Sequence, residues 1–198
     1  VLLRETIKGK TQGMGCHIVT VAQQIPRLSL FELPFLFNSL ADLEKFIAKA
    51  ELFNHCLRAA ERRGIVVLGI TDHGGYGWAT TTPVKTIADA QKIKFRISED
   101  PVRENLYSQW GLFSRMMAPQ DVQAALNRGE ITGIDLMPGR CADFDKITYY
   151  THIDYTRELF IWLFNKEWLS QLPDDLQQAF KDVVSRVCAK VCQKTRQR

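Results

Sequence analysis

The sequence predicts an α/β protein, because helical and strand patterns alternate along its length. Three stretches carry that expectation. A helical pattern over residues 39–63 stops at Gly64 and gives way at once to the apolar run of residues 65–70. Residues 83–97 repeat the order as a short helix and a strand, and residues 119–135 repeat it again with Gly129 at the junction. There is no internal sequence repeat, so a solenoid or propeller is excluded.

Each element has a local reason. A helix ending near Gly9 precedes residues 16–21, whose β-branched composition predicts a strand. Ser39-x-x-Asp42 is a capping-box-like start, and Leu43, Phe46, Ile47, Ala50, Phe53 and Leu57 then recur at helical spacing to about Arg63. Residues 65–70 are continuously apolar, as expected of a strand buried in a parallel sheet. The segment Asp72-His73-Gly74-Gly75-Tyr76-Gly77 reads as a flexible turn or hinge at that strand's carboxyl end, where open α/β sheets bind ligands. Its glycine spacing fits neither nucleotide-binding fingerprint. Thr86-x-x-Asp89 opens a short helix, and residues 93–97 alternate so that Lys94 and Arg96 share one face. Helices over 104–110 and 119–128, and strands over 131–135, 146–151 and 159–164, lead to a final amphipathic helix from Asp174 to about Lys194. On that helix Leu176, Phe180, Val184, Val187 and Val191 form the expected buried stripe, with Cys188 among them as a small hydrophobe.

Composition excludes several classes. The 198 residues carry 26 Lys+Arg against 22 Asp+Glu and are 45% hydrophobic, which fits a folded protein of one large domain or two small ones rather than a disordered chain. The longest apolar runs, residues 64–70 and 159–164, fall far short of the ~20 residues of a membrane-spanning helix. The chain begins Val1-Leu2-Leu3-Arg4, which reads as a processed or truncated start without a signal sequence of its own. Five cysteines cannot all pair internally, and the absence of a Cys-x-x-Cys or His-Glu-x-x-His spacing argues against a metal centre. Lys190, Lys194, Arg196 and Arg198 cluster at a helix end, where the helix dipole explains them without nucleic acid.

Few side chains suggest chemistry by themselves. A guanidinium held on a strand facing a cleft suits an organic anion, which makes Arg96 a candidate, with a surface ion pair as its alternative. Tyr76 and Trp78 are candidate pocket walls or core aromatics. Asp72 beside His73 raises a general-base reading, although neighbours on a strand point apart.

Several motifs then occur together in a recognisable order. These are Leu33-Pro34-Phe35-Leu36-Phe37, Gly64-Ile65-Val66-Val67-Leu68-Gly69, the run from Pro83 to Ile97, and residues 121–138, followed by Asn165, Trp168-Leu169 and Leu172-Pro173. Together they resemble the periplasmic solute-binding proteins of tripartite ATP-independent periplasmic (TRAP) transporters, the DctP-like family. The resemblance implies a two-lobed periplasmic-binding-protein-like α/β fold with a ligand cleft between the lobes, incomplete at both ends. It places residues 1–73 and 162–198 in the first lobe and 74–161 in the second. It implies a periplasmic protein without catalytic activity or cofactor, which captures a small organic acid and delivers it to the transporter's membrane subunits. Arg96 matches the arginine that grips the ligand carboxylate.

The departures from the family pattern bear on the ligand. Tyr76 stands where acidic-sugar binders carry a second arginine, and Leu136 where an asparagine helps hold the carboxylate. Lys92 and Thr132 also replace a glycine and an aspartate of the pattern. The expected ligand-binding set is therefore Arg96, Tyr76, Trp78, Met117, Asp135 and Leu136, favouring an apolar or aromatic carboxylate. The rival readings are an α/β enzyme using Asp72 and His73, a degenerate member without transport function, and a ligand-free interaction module.

Overall fold

The computed structural model describes residues 2–196; Val1 and Arg198 of the sequence reading lie outside them. The chain forms two compact units. Unit 1 holds residues 1–31, 37–73 and 158–198, and unit 2 holds residues 32–36 and 74–157. Relative to the division expected from sequence, residues 32–36 fall in unit 2 and residues 158–161 in unit 1. The cause is packing: Glu32 pairs with Arg103 of unit 2, whereas Leu159 and Ile161 enter the core of unit 1.

Unit 1 is built on a three-stranded sheet in which β8 (Arg157–Asn165) lies between β1 (Gly13–His17) and β2 (Ile65–Gly75). β1 runs antiparallel to β8, pairing Gly15 with Trp162. Helices α1 (Leu2–Ile7), α2 (Ile18–Ala22), α3 (Leu40–Ala48), α4 (Ala50–Glu61), α8 (Lys166–Ser170) and α9 (Asp174–Arg196) belong to this unit. Its core gathers Ile18, Val21, Leu28, Phe31, Leu43, Ile65, Leu159, Ile161 and Leu163. Phe31 sits among Phe37, Phe46 and Phe53 at ring-centroid separations of 6.0, 5.5 and 6.3 Å, distances at which edge and tilted ring contacts are favourable.

Three local expectations need correction here. The single helix of residues 39–63 is two helices, broken at Lys49 (φ −78, ψ 79), although Ser39 caps α3 through the Asp42 N–H as expected. Residues 18–21 continue as α2 rather than as strand, because burying Ile18 and Val21 in the core overrides their β-preference. On α9, Leu176 and Val187 are exposed, and the face packed on unit 1 is carried by Phe180, Val184, Cys188 and Cys192. Cys188 is buried against Gly69, where a side chain would meet its sulfur, and all five cysteines are free thiols.

Unit 2 is built on a five-stranded mixed sheet ordered β5 (Ser114–Met116), β4 (Phe95–Ile97), β6 (Gly133–Leu136), β3 (Gly77–Thr80) and β7 (Tyr149–Thr151). β4 is parallel to both β5 and β6, and β3 is antiparallel to β6 and β7. The connecting helices are α5 (Ile87–Ala90), α6 (Pro101–Gln109) and α7 (Val122–Arg128). Thr86 and Asp89 form a reciprocal capping box on α5, and Gly129 ends α7 in the left-handed conformation at φ +71. The sheet is buried on both faces. One carries Trp78, Phe95, Ile97 and Tyr107, the other Ala79, Ile134, Leu136 and the α7 residues Val122, Ala125 and Leu126.

The glycine-rich segment is strand rather than loop, and the boundary between the two units falls between His73 and Gly74. Gly74 and Gly75 extend β2, and Gly77 opens β3. Close approach explains two of these glycines, since a Cβ on Gly75 would strike the Asp154 carboxylate and one on Gly77 the Thr151 carbonyl.

Removing the fully buried Ile161 side chain from the central strand of unit 1, as Ile161→Ala, is expected to lower unfolding free energy by about 2–5 kcal/mol. The exposed Phe113, as Phe113→Ala, should change it by no more than about 0.5 kcal/mol. Urea denaturation of the two variants checks this difference, and equal losses would contradict the core described here.

Candidate functional site

The parallel strands β4, β5 and β6 of unit 2 bring their carboxyl ends together at Ile97, Met116 and Leu136. Arg96 lies one residue before such an end. Its side chain is only 7% exposed, and both its Nε and an Nη donate to the carbonyl of Met117, at 2.9 and 2.7 Å. The other terminal nitrogen donates more weakly to Ser98 Oγ at 3.4 Å. A guanidinium has five N–H groups, so one on each terminal nitrogen stays uncommitted, and together these two can take both oxygens of a carboxylate. Among the described residues no carboxylate lies within 4.0 Å of this guanidinium. Burial lowers the Arg96 pKa, while the nearby Asp135 charge opposes that shift. Arg96 is therefore a cation largely removed from water and fixed by a backbone carbonyl; among the described residues no carboxylate is within 4.0 Å, and the more distant Asp135 and Glu99 favour its charge.

Arg103, on α6, has the opposite surroundings. Its guanidinium reaches Asp135 at 2.9 Å, Glu32 at 3.0 Å and Asp100 at 3.4 Å, and its carbon lies 4.1 Å from the centre of the Tyr76 ring. Asp100 is also the cap of α6, accepting from the Val102 N–H at 2.9 Å. Tyr155 donates its hydroxyl to Asp135 at 2.6 Å, and the Trp78 indole N–H donates to the Tyr107 hydroxyl at 2.9 Å. Burial works against the Arg103 charge, but Tyr155, Asp135, Glu32 and Asp100 outweigh it and hold its pKa well above the ordinary arginine value. Burial pushes the carboxyls of Glu32 and Asp135 upward, with Arg103 opposing in both cases. The direction that governs the cluster is that of Arg103, because a guanidinium amid three acids stays charged.

The sheet register divides the residues singled out from sequence between two faces. Arg96 is opposite Ile134, and Gly77 is opposite Leu136, so Arg96 and Leu136 share the face packed by α7 and the Met117 side chain. Trp78 is opposite Asp135, and both lie on the other face with the aromatic cluster. Trp78 and Tyr76 are 5% and 6% exposed, and their rings pack against Phe95, Tyr107 and Arg103. Met117 meets Arg96 through its main-chain carbonyl, a role no side-chain pattern reveals. Arg103, Glu32, Tyr107 and Tyr155 escape sequence reasoning as well. The only signal for Arg103 is its i+3 spacing from the cap Asp100.

Nothing in this arrangement resembles acid–base machinery. Asp72 and His73 point apart on β2: Asp72 is fully buried, and His73 is exposed with Nε2 3.1 Å from Thr71 Oγ1. Burial lowers the His73 pKa, with Asp72 opposing. Among the described residues no group of three or more His, Cys, Asp or Glu side chains is placed to hold a metal ion, and no helix is long and apolar enough to cross a membrane.

Comparison with known proteins places this geometry in a wider setting. The chain is 25% identical over 181 residues to a solute-binding protein of Verminephrobacter eiseniae, covering 85% of this chain and 53% of that protein. It is 25% identical over 195 residues to the C4-dicarboxylate-binding periplasmic protein DctP of Vibrio cholerae, covering 94% and 57%. The chain thus spans about half the length of the curated relatives it matches. Its fold is like that of a TRAP periplasmic solute-binding protein from Pseudomonas aeruginosa with bound L-malate (TM-score 0.87, 19% identity, 98% of this chain and 68% of that one). It is equally like one from Shewanella oneidensis with bound succinate (TM-score 0.86, 21% identity, 98% and 65%). All four are named as binding proteins. The family model for bacterial extracellular solute-binding proteins, family 7 (DctP), matches residues 4–198, and the chain belongs to that family.

Proposed function

We propose that this chain takes part in capturing a small organic acid in the periplasm, with Arg96 gripping the ligand's carboxylate, for delivery to the membrane subunits of a TRAP transporter. The observation that carries this reading is the state of Arg96: buried, oriented by the Met117 carbonyl, and without a carboxylate within ion-pair distance among the described residues. Taking a cation out of water is unfavourable unless a partner arrives, and an anionic ligand is such a partner. The fold relatives hold L-malate and succinate, both organic acids, which agrees with this chemistry.

The environment also bears on the kind of acid. Arg103 is engaged by Glu32, Asp100 and Asp135, whereas among the described residues no carboxylate lies within 4.0 Å of the Arg96 guanidinium. Leu136 stands on its face of the sheet, where its side chain is apolar and offers no hydrogen bond. A ligand with one well-held carboxylate and an apolar body suits these groups better than an acidic sugar.

Arg96→Ala is expected to weaken carboxylate binding by about 2–5 kcal/mol, since a desolvated anion loses its partner. Arg96→Lys should recover only part of that loss, because an ammonium cannot reproduce the planar two-point grip. Calorimetric titration with small carboxylates checks both, and unchanged affinity in Arg96→Ala would overturn the assignment. The uncharged amide of any acid that binds should in turn produce no thermal stabilisation, whereas the acid at a hundred times its dissociation constant adds about 2.7 kcal/mol. Equal stabilisation by acid and amide would rule out a charge-dependent site.

A further inference from the structure

Arg96 meets two groups of its own chain, and they differ in what they leave open. The Met117 carbonyl accepts from Nε and Nη2 at 2.9 and 2.7 Å, and a carbonyl has no proton to give. Ser98, just beyond the end of β4, accepts from Nη1 at 3.4 Å through its hydroxyl, which keeps a proton of its own to donate. Among the described residues no acceptor for that O–H lies within hydrogen-bond distance, and Ser98 is half-buried, so the proton is open to a molecule arriving at Arg96. Building on the organic-acid reading of Arg96, we propose that Ser98 is a further ligand-binding residue: its hydroxyl donates to the carboxylate oxygen held by Arg96 Nη1, giving that oxygen two donors.

Geometry carries the argument. Met117 occupies the edge of the guanidinium formed by Nε and Nη2, so the edge open to a carboxylate is the one formed by Nη1 and Nη2. One carboxylate oxygen then falls beside Nη1, the nitrogen that Ser98 touches. At 3.4 Å the hydroxyl stands off from Nη1 beyond the usual N–H···O range, and an oxygen at about 2.9 Å from that nitrogen can lie within ordinary O–H···O distance of Ser98 as well. A carboxylate oxygen has two lone-pair directions, so it takes both bonds without giving up either. The main chain of Ser98 is held in place, since its carbonyl accepts from the N–H of Asp100, the cap of α6, at 2.8 Å. Ile134, opposite Arg96, and Leu136 on the same face are apolar, so Ser98 supplies a hydrogen-bonding side chain that β6 does not.

The test uses wild type, Ser98→Ala, Ser98→Thr, Arg96→Lys and the double variant Arg96→Lys/Ser98→Ala of the full chain. Each is titrated calorimetrically with succinate, L-malate, pyroglutamate, orotate and D-glucuronate, and urea denaturation without ligand reports stability. Ser98→Ala is expected to weaken acid binding by about tenfold, the loss of one hydrogen bond to a charged group, while the unfolding midpoint of the ligand-free chain stays in place. Ser98→Thr keeps the hydroxyl and should bind closer to wild type than to Ser98→Ala. In the Arg96→Lys background, which retains a positive charge, removing the Ser98 hydroxyl should still cost about threefold or more, because the hydroxyl touches the ligand directly. A Ser98→Ala loss of less than about threefold overturns the proposal, as does a Ser98→Thr variant no better than Ser98→Ala. A Ser98→Ala effect that vanishes in the Arg96→Lys background means that the hydroxyl acts only through Arg96, and it overturns the direct contact. A merely structural Ser98 predicts a lower unfolding midpoint with unchanged affinity, which overturns the proposal too. A wild-type chain that binds none of these acids overturns the organic-acid reading and this inference with it, whereas equal binding by wild type and Ser98→Ala overturns this inference alone.

Discussion

One guanidinium organises unit 2. Arg103 joins residues far apart in sequence, Glu32 before the main body of the unit, Asp100 at the start of α6 and Asp135 at the end of β6. Each would be an unfavourable buried charge by itself, and a guanidinium is the side chain suited to them because its fork presents several donors at once. Through Glu32 the cluster holds residues 32–36 in unit 2, where the Phe35 N–H also donates to the Tyr155 carbonyl at 2.6 Å. Through Asp135 it fixes the strand beside the one that carries Arg96.

Arg96 and Arg103 show how one residue type acquires two roles from its surroundings. They lie seven positions apart in sequence, and both are nearly removed from solvent. Arg103 is encircled by acids and aromatic hydroxyls, so its charge is satisfied within the protein. Arg96 has a carbonyl and a distant hydroxyl, so its charge is oriented but not neutralised. The difference lies in the neighbours and not in the count of positive residues, which in a chain of net charge +4 lie mostly on the surface.

Two glycines of the unit 2 sheet serve close packing. Gly77 lies where β3 is flanked by β6 and β7, and a side chain there would collide with the Thr151 carbonyl and the Tyr150 hydroxyl. Gly133, opposite Phe95, is similarly crowded by Ile93 and Phe95. Gly77 thereby seats the amino end of β3 against the carboxyl end of β6, beside Leu136.

Local physics was enough to determine much of this protein from sequence. The alternation of helices and strands, the Thr86–Asp89 capping box, the Gly129 helix stop and the inward face of Phe95 and Ile97 all depend on residues near one another in the chain. The order of family motifs singled out Arg96 for the same reason, since a strand and its preceding helix form a continuous segment. Tertiary structure decided what depends on partners brought from afar. It broke the helix at Lys49, made Ile18 and Val21 helical by burying them, and set Trp78 in the core rather than beside Arg96. It also paired Arg103 with Glu32 across 71 positions of sequence and gave Arg96 a main-chain carbonyl 21 positions away. Charge satisfaction is a property of three-dimensional neighbours, so sequence could nominate a candidate arginine, while only the fold showed that, among the described residues, no carboxylate lies within 4.0 Å of it.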